Sequence, residues 1–273
     1  MKRYLRYPGW KRKAVTLSYD DAVVEDIRLV EIMKKYGLKG TFNVNSGQLD
    51  CGVPRRMSSA TAVKLYRDAG MEVAMHGYEH GYIPGMTGAD VINEFYRDKL
   101  GVEKIFGCIV RGGACAFGQY DDQTINVLKA LGIKYFRTTK STHDFDIPTD
   151  WLRMPITCRH GDPRLFELVD EFINRGTNYA VQYKPMLFYL MGHSYEFEDN
   201  NNWEIIEKFG QKMSECDDIW HATNIEIYDY VKAYNDLEFS TDGTKVLNNS
   251  SIDVYLLKDG ENVLAKANSI SEI

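Results

Sequence analysis

An alternation runs through this chain and leaves few folds open to it. Apolar segments of strand length lie at 14–19, 40–44, 71–75, 108–111, 133–136, 152–157, 186–191 and 219–221. Between them, segments of helical period lie at 23–36, 58–69, 87–106, 122–131, 163–174, 203–215 and 225–235. In the first of these, Val23, Ile27, Val30 and Met33 form one apolar stripe. Gly37, Gly70 and Gly132 follow predicted helices, where a left-handed C-cap is expected. Repeated βα units imply a parallel sheet covered by helices. Seven or eight units in roughly 230 residues favour a closed or nearly closed α/β barrel over an open doubly wound sheet.

The pattern changes after Asp236. Residues 254–257, then Lys258-Asp259-Gly260-Glu261, then 262–266 spell a hairpin with an Asp-Gly turn. A tail of roughly 38 residues is too short for a robust core of its own. The expected organisation is therefore a barrel over 1–235 and a small C-terminal β appendage, 236–273, packed on it.

Charge and cysteine content narrow the function classes. The net charge of −6 disfavours a general nucleic-acid partner, which needs a basic face. No apolar run approaches the ~18–20 residues that span a bilayer. The basic start, Lys2 to Lys13, lacks the apolar stretch of a secretory signal, so a cytoplasmic location is expected unless a signal was trimmed. The five cysteines include no C-x-x-C pair, which excludes a zinc ribbon or thioredoxin-like motif.

In a parallel βα barrel, residues just past the strand ends converge on one mouth. Here those residues include Ser18-Tyr19-Asp20-Asp21, His76-Gly77-Tyr78-Glu79-His80, Arg111-Gly112-Gly113, Gly192-His193 and His221. Adjacent carboxylates repel unless a cation compensates them, and neighbours on an extended strand point opposite ways. Asp20 and Asp21 thus divide into a base and a metal ligand, or else they cap the next helix. His76 and His80, four apart, face one ion if their segment makes a helical turn; otherwise they are polar loop residues. Two nitrogens and one carboxylate suit zinc or another first-row metal, with positions left for water and substrate. His193 either donates a proton or packs structurally. Arg111 either holds Asp20 ionised or bridges surface groups.

Taken in order, these segments resemble the polysaccharide deacetylases of carbohydrate esterase family 4, which share the NodB homology domain. The family's T-F-D-D motif matches Ser18-Tyr19-Asp20-Asp21, its H-[ST]-x-x-H matches His76 to His80 with Gly77 at the hydroxyl position, and its L-x-x-H matches Leu190 to His193. The resemblance covers Ala14 to about Ala233 and implies a distorted (β/α)7 barrel. It implies Asp20 as general base, Asp21, His76 and His80 as ligands of a divalent metal, zinc above cobalt or nickel, and His193 as general acid. Arg111 would be the arginine of the R-x-P-Y motif that holds the base. That motif's Pro-Tyr is Gly113-Ala114 here, leaving the Ala114 backbone to help hold an oxyanion. The D-x-x-D-W motif survives only as Asp150-Trp151, with Glu196 or Asp146 as substitutes for its missing acid. Tyr78, Tyr82, Trp151 and Tyr195 are expected to offer stacking surfaces to sugar rings. The implied reaction is metal-dependent removal of N-acetyl groups from an amino-sugar glycan or oligosaccharide. The same site acting on O-acetyl esters or small amides, and a non-catalytic sugar- or metal-binding barrel, remain the other readings.

Overall fold

The computed structural model describes residues 2–175 and 183–273. The short β1 (Arg3–Arg6) leads into β2 (Lys13–Asp20), in which all eight residues are buried. A strand covered on both faces is what parallel βα units produce. The chain continues through α1 (Asp26–Lys35), β3 (Gly40–Val44), α2 (Ser59–Asp68), β4 (Glu72–Met75), α3 (Gly88–Phe106) and β5 (Gly112–Ala114). Next come α4 (Asp122–Ala130), β6 (Tyr135–Ser141), β7 (Met154–Ile156), β8 (Cys158–Arg159), α5 (Leu165–Asn174) and β9 (Met186–Gly192). The short α6 (Tyr195–Asp199), absent from the sequence expectations, precedes α7 (Glu204–Ser214), β10 (Ile219–His221) and α8 (Asn224–Asn235).

Nine strands form one parallel sheet in the order β7-β6-β5-β4-β3-β2-β9-β8, with β10 beside the first half of β2. Its two ends are joined through Thr157, whose N–H donates to the Tyr189 carbonyl of β9 at 2.9 Å. The run 154–159 thus acts as one stave, and β2, β3, β4, β5, β6, β9 and this run make a nearly closed seven-stave barrel. The glycines predicted to cap helices do so: Gly37, Gly70 and Gly132 have φ of 63°, 65° and 76°.

Alternate residues of β2 divide the two environments. Val15, Leu17 and Tyr19 join the apolar layer beneath the helices, with Leu29, Phe42, Phe188 and Phe209. Thr16, Ser18 and Asp20 face a polar interior, bonded respectively to Asn224, Asn43 and Arg137. Those side-chain contacts offset much of the cost of burying polar groups in the barrel.

One strand lies elsewhere than expected. The segment 108–111 is not a strand, and its Ile109 is 79% exposed; the strand is Gly112–Ala114. A Cβ on Gly112 would come within 2.0 Å of the Tyr135 ring, and one on Gly113 within 2.8 Å of Met75. The stave must be glycine because its neighbours fill the space, and glycine contributes nothing to an apolar pattern.

Past α8, β11 (Glu238–Phe239), β12 (Lys245–Asn248), β13 (Val254–Lys258), β14 (Glu261–Ala265) and β15 (Ser269–Glu272) form two antiparallel sheets, β11-β12-β15 and β1-β13-β14. The expected hairpin is present, with Lys258 opposite Glu261 and positive φ at Asp259 and Gly260. The first strand of the chain completes this sheet, so the appendage draws on both ends. Val246, Val254, Leu256 and Ala265 pack with Ala233 and Leu237 at the end of α8.

Candidate metal centre and active site

The chain leaves β2 at Asp20 and turns sharply, with Asp21 at φ 83° and Ala22 at φ 51°. Left-handed conformations in residues other than glycine cost on the order of 1–3 kcal/mol, and they cluster where geometry serves a site. Here the turn sends the two carboxylates apart. Asp20 stays in the barrel, while Asp21 faces the loop after β4.

That loop carries His76 and His80. One donor atom from each of Asp21, His76 and His80 lies within 4.8 Å of the others. His80 Nε2 is 3.6 Å from Asp21 Oδ1. The histidines do not sit on a helical turn; the loop is irregular, with Gly77 at φ 86° and His80 at φ 60°. His76 Nδ1 lies 3.0 Å from the Ala114 carbonyl, which can only accept, so Nδ1 carries the proton and Nε2 keeps its lone pair.

Two carboxylates of α3 hold this loop in place. Asp98 accepts from the N–H groups of His76 (2.9 Å) and Ser46 (2.7 Å), and Glu94 accepts from those of Glu79 (3.0 Å) and Gly81 (2.9 Å). A Cβ on Gly77 would stand 2.7 Å from Glu94 Oε1, which accounts for glycine where the family pattern has a hydroxyl residue. Sequence reasoning missed Glu94 and Asp98. Their signal was two acids, four apart, on the same helix face as the buried Val91, Phe95 and Val102.

The three donors fit a divalent cation on this structure's own terms. Asp21 Oδ1 is buried without a hydrogen-bond partner, although Arg56 Nη1 lies 3.2 Å away, out of line. A buried carboxylate oxygen left unmatched beside two imidazoles is what an N,N,O cation site provides.

Asp20 has a different set of neighbours. Arg137, fully buried, donates to its Oδ1 at 2.6 Å, and Asn43 donates to the same oxygen at 2.8 Å. Burial pushes its pKa up, but Arg137, His76 and His193 outweigh that and hold it well below the usual carboxylate range. His193 Nε2 is 3.8 Å from Asp20 Oδ2. Burial lowers the pKa of His193, while its hydrogen bond to Glu196 and the charge of Asp20 raise it, and the net shift is upward. Glu196 meets His193 Nδ1 at 3.1 Å, His160 Nε2 at 2.9 Å and Arg159 at 2.8 Å. Of the two substitutes considered for the missing acid, Glu196 contacts His193; Asp146 pairs with Lys184.

Arg111 requires correction. It donates to Asp229 of α8 through two 2.6 Å bonds and does not meet Asp20. Because β5 begins at Gly112, Arg111 precedes its strand and lies at the closed end of the barrel. Arg137 takes the position beside Asp20. It follows the segment 133–136, so the strand-end rule, applied there, would have found it.

Trp151 likewise precedes its strand, and it packs edge-on against Tyr228 of α8 with centroids 5.2 Å apart. His221 bonds to the Gly37 carbonyl, on a strand paired with the first half of β2. Neither reaches the mouth. Tyr195 does, with its ring 5.1 Å from that of His193. One face of Tyr78 is covered by Arg97 at 3.8 Å. Ala114 is fully buried, and the contact it makes to the site is its carbonyl bond to His76. Cys115 is buried, and burial pushes its thiol up to about 12, which disfavours the thiolate.

Residues 9–136 match the family model for polysaccharide deacetylases. A search of curated proteins found no match. Among solved structures, a Mycobacterium smegmatis protein described as a polysaccharide deacetylase is 16% identical, with TM-score 0.60, over 85% of this chain and 94% of its own. A family 4 carbohydrate esterase from Streptomyces lividans, solved with acetate, is 17% identical with TM-score 0.51, over 78% of this chain and 93% of its own. A family 4 acetyl xylan esterase from Clostridium thermocellum, solved with a cobalt ion, is 15% identical with TM-score 0.53, over 79% and 90%. No helix among the described residues is long and apolar enough to cross a membrane. The chain therefore carries the sequence pattern of the polysaccharide deacetylase family over residues 9–136, on the barrel fold shared by solved family 4 carbohydrate esterases.

Proposed function

We propose that this protein is a metal-dependent hydrolase that removes N-acetyl groups from an amino-sugar glycan or oligosaccharide. The observation that carries the reading is the placement of Asp20. It is buried, paired with Arg137, and flanked by the Asp21–His76–His80 donors on one side and His193 on the other.

Asp21, His76 and His80 would hold the cation, most simply zinc, with cobalt or nickel as alternatives. When bound, such an ion polarises an acyl oxygen and acidifies water. Asp20 takes the proton from the attacking water, and its ion pair with Arg137 keeps it ionised for that task. Asn43 fixes the orientation of the carboxylate. An amine is a poor leaving group unless protonated, and His193 supplies that proton from Nε2. Glu196 holds the opposite ring nitrogen, so the imidazole keeps its direction. Tyr195 lines the His193 side of the mouth.

The acetyl xylan esterase among the structural neighbours supports a second reading, the same machinery acting on an O-acetyl ester. Acetate release from N-acetylglucosamine oligomers and from acetylated xylan, measured with the metal content, separates the two. Asp20→Asn should keep the metal and lose activity by roughly 10²–10⁴-fold, whereas His76→Ala should lose both. Full activity in Asp20→Asn would remove the base from the scheme. A metal-loaded protein releasing acetate from neither polymer would overturn this reading and leave the small-amide hydrolase and the binding barrel.

A further inference from the structure

Of the aromatic residues expected to face sugar, Tyr195 and Tyr82 stand at the mouth; the Tyr82 ring is 5.9 Å from that of Phe117, which meets His80 at 4.5 Å. Trp151 has no part in the reaction. It lies at the closed end, where it lines a separate cleft of about 420 Å³ between the barrel and the appendage. Three segments far apart in the chain bring aromatic rings to this cleft: Tyr4 from β1, Trp151 from the turn before β7 and Tyr234 from the end of α8. All three are partly buried, which holds them in place. Tyr4 stacks on Tyr183 at 5.3 Å, and Tyr228 braces Trp151 edge-on. Rigid rings of this kind present contact area at little cost in conformational entropy.

The polar groups of the cleft are neutral. Thr149 and Asn235 line it with the three aromatics, and among the described residues none of these five side chains is hydrogen-bonded to protein. Arg3, the one charged side chain among the described residues that line it, has its guanidinium over the Phe239 ring at 3.6 Å. An ionic ligand finds little there to pair with. A wholly apolar one would cover hydrogen-bonding groups and leave them unmatched. Aromatic walls set among neutral donors and acceptors suit a neutral polyol with apolar C–H faces, which describes a sugar unit.

Resting on the reading of the substrate as an amino-sugar glycan, we infer that this closed-end cleft is a second, non-catalytic sugar-binding site built around Trp151. It anchors the polymer while another stretch of the same chain reaches the mouth. Tethering at a second site raises the effective concentration of glycan at the first.

Depletion of the full-length protein from solution by insoluble chitin tests the site, in a His76→Ala background that removes a metal ligand from the mouth. That background should still bind chitin. Trp151→Ala within it should raise Kd about tenfold, and Trp151→Phe should bring it back to within about threefold of the background. Asn235→Ala combined with Thr149→Ala, both at exposed positions, should raise Kd about threefold and leave the melting temperature unchanged, so the test stands even if Trp151→Ala misfolds. Ile109→Ala, at the closed end but outside the cleft, should leave Kd where it was. The proposal is overturned by a background that does not bind chitin, by an unchanged Kd in folded Trp151→Ala or in the polar double variant, or by an equal loss in Ile109→Ala. Trp151-dependent binding of a polyproline peptide without binding of chitin also overturns it, and assigns the cleft to an extended peptide. Acetate release from N-acetylglucosamine oligomers by the unmodified protein tests the underlying reading separately. Chitin binding at the cleft without release keeps the site and sinks the hydrolase, and release without binding at the cleft does the reverse.

Discussion

The barrel holds an arginine–aspartate pair at each end, and the two differ in almost everything but chemistry. At the mouth, Arg137 and Asp20 are buried, with side chains 0% and 3% exposed. At the closed end, Arg111 and Asp229 make a bidentate pair with side chains 36% and 31% exposed. An exposed pair is worth about 0–1 kcal/mol, because water solvates either partner nearly as well. A buried pair gains little over an apolar substitute, yet breaking it strands a charge. The difference teaches that strength of contact and consequence of loss are separate quantities. Burial decides the second.

The largest expected effect tests this directly. Arg137→Met should destabilise the fold by about 3–5 kcal/mol in denaturant unfolding and abolish acetate release, since Asp20 is left buried and uncompensated. Restoring stability with Arg137→Met/Asp20→Asn, while activity stays absent, would show that the loss came from the stranded carboxylate. A stable, active Arg137→Met would break the comparison.

Next in size is the anchoring of the ligand loop. Glu94→Ala frees two backbone N–H groups and should weaken zinc or cobalt binding by roughly 10–100-fold, read by competition with a chelator. Unaltered metal affinity would show that the loop holds its shape without α3.

A smaller effect concerns pH. Asp26, beneath the mouth and bonded to Ser194 and Tyr66, and Glu72, toward the closed end and bonded to Tyr135 and Thr41, are both pushed up to about 7 by burial. Between the ordinary carboxylate range and about 7, the folded protein holds protons that the unfolded chain has released. Stability from these groups is therefore full at acid pH and falls as pH rises through that window, by at most about 1.4 kcal/mol per pH unit for each. Asp26→Asn should flatten the slope more than Glu72→Gln, because Glu72 is partly open to solvent. A slope unchanged in Asp26→Asn would mean that the carboxyl is ionised in the fold.

The smallest effect is the counterpart of the first. Arg111→Ala should cost no more than about 1 kcal/mol and leave acetate release intact. A loss matching that of Arg137→Met would erase the distinction between the two ends.

Much of the site was legible from strand ends alone. Asp20, Asp21, His76, His80 and His193 each follow an apolar run, and the barrel gathers them at one mouth. The same rule failed at Arg111, where a glycine stave left no apolar trace and the strand was placed too early. It was not applied to Arg137, which follows a visible strand. Glu94 and Asp98 were hidden for another reason: acids on a helix usually face water, and here two of them face a loop brought over from β4. The turn at Asp21 was invisible as well, since nothing in Ser18-Tyr19-Asp20-Asp21 signals a left-handed backbone.

Local periodicity, glycine punctuation and the order of residue types settled the βα alternation, the helix ends and the chemical inventory of the mouth, because short-range sterics and solvent preference act on neighbours in the chain. Which arginine faces Asp20, which carboxylates grip the histidine loop and at which end of the barrel Trp151 lies were settled only by packing. Those choices depend on which strand neighbours which and how deeply each pair is buried, and both are properties of the closed barrel rather than of any segment.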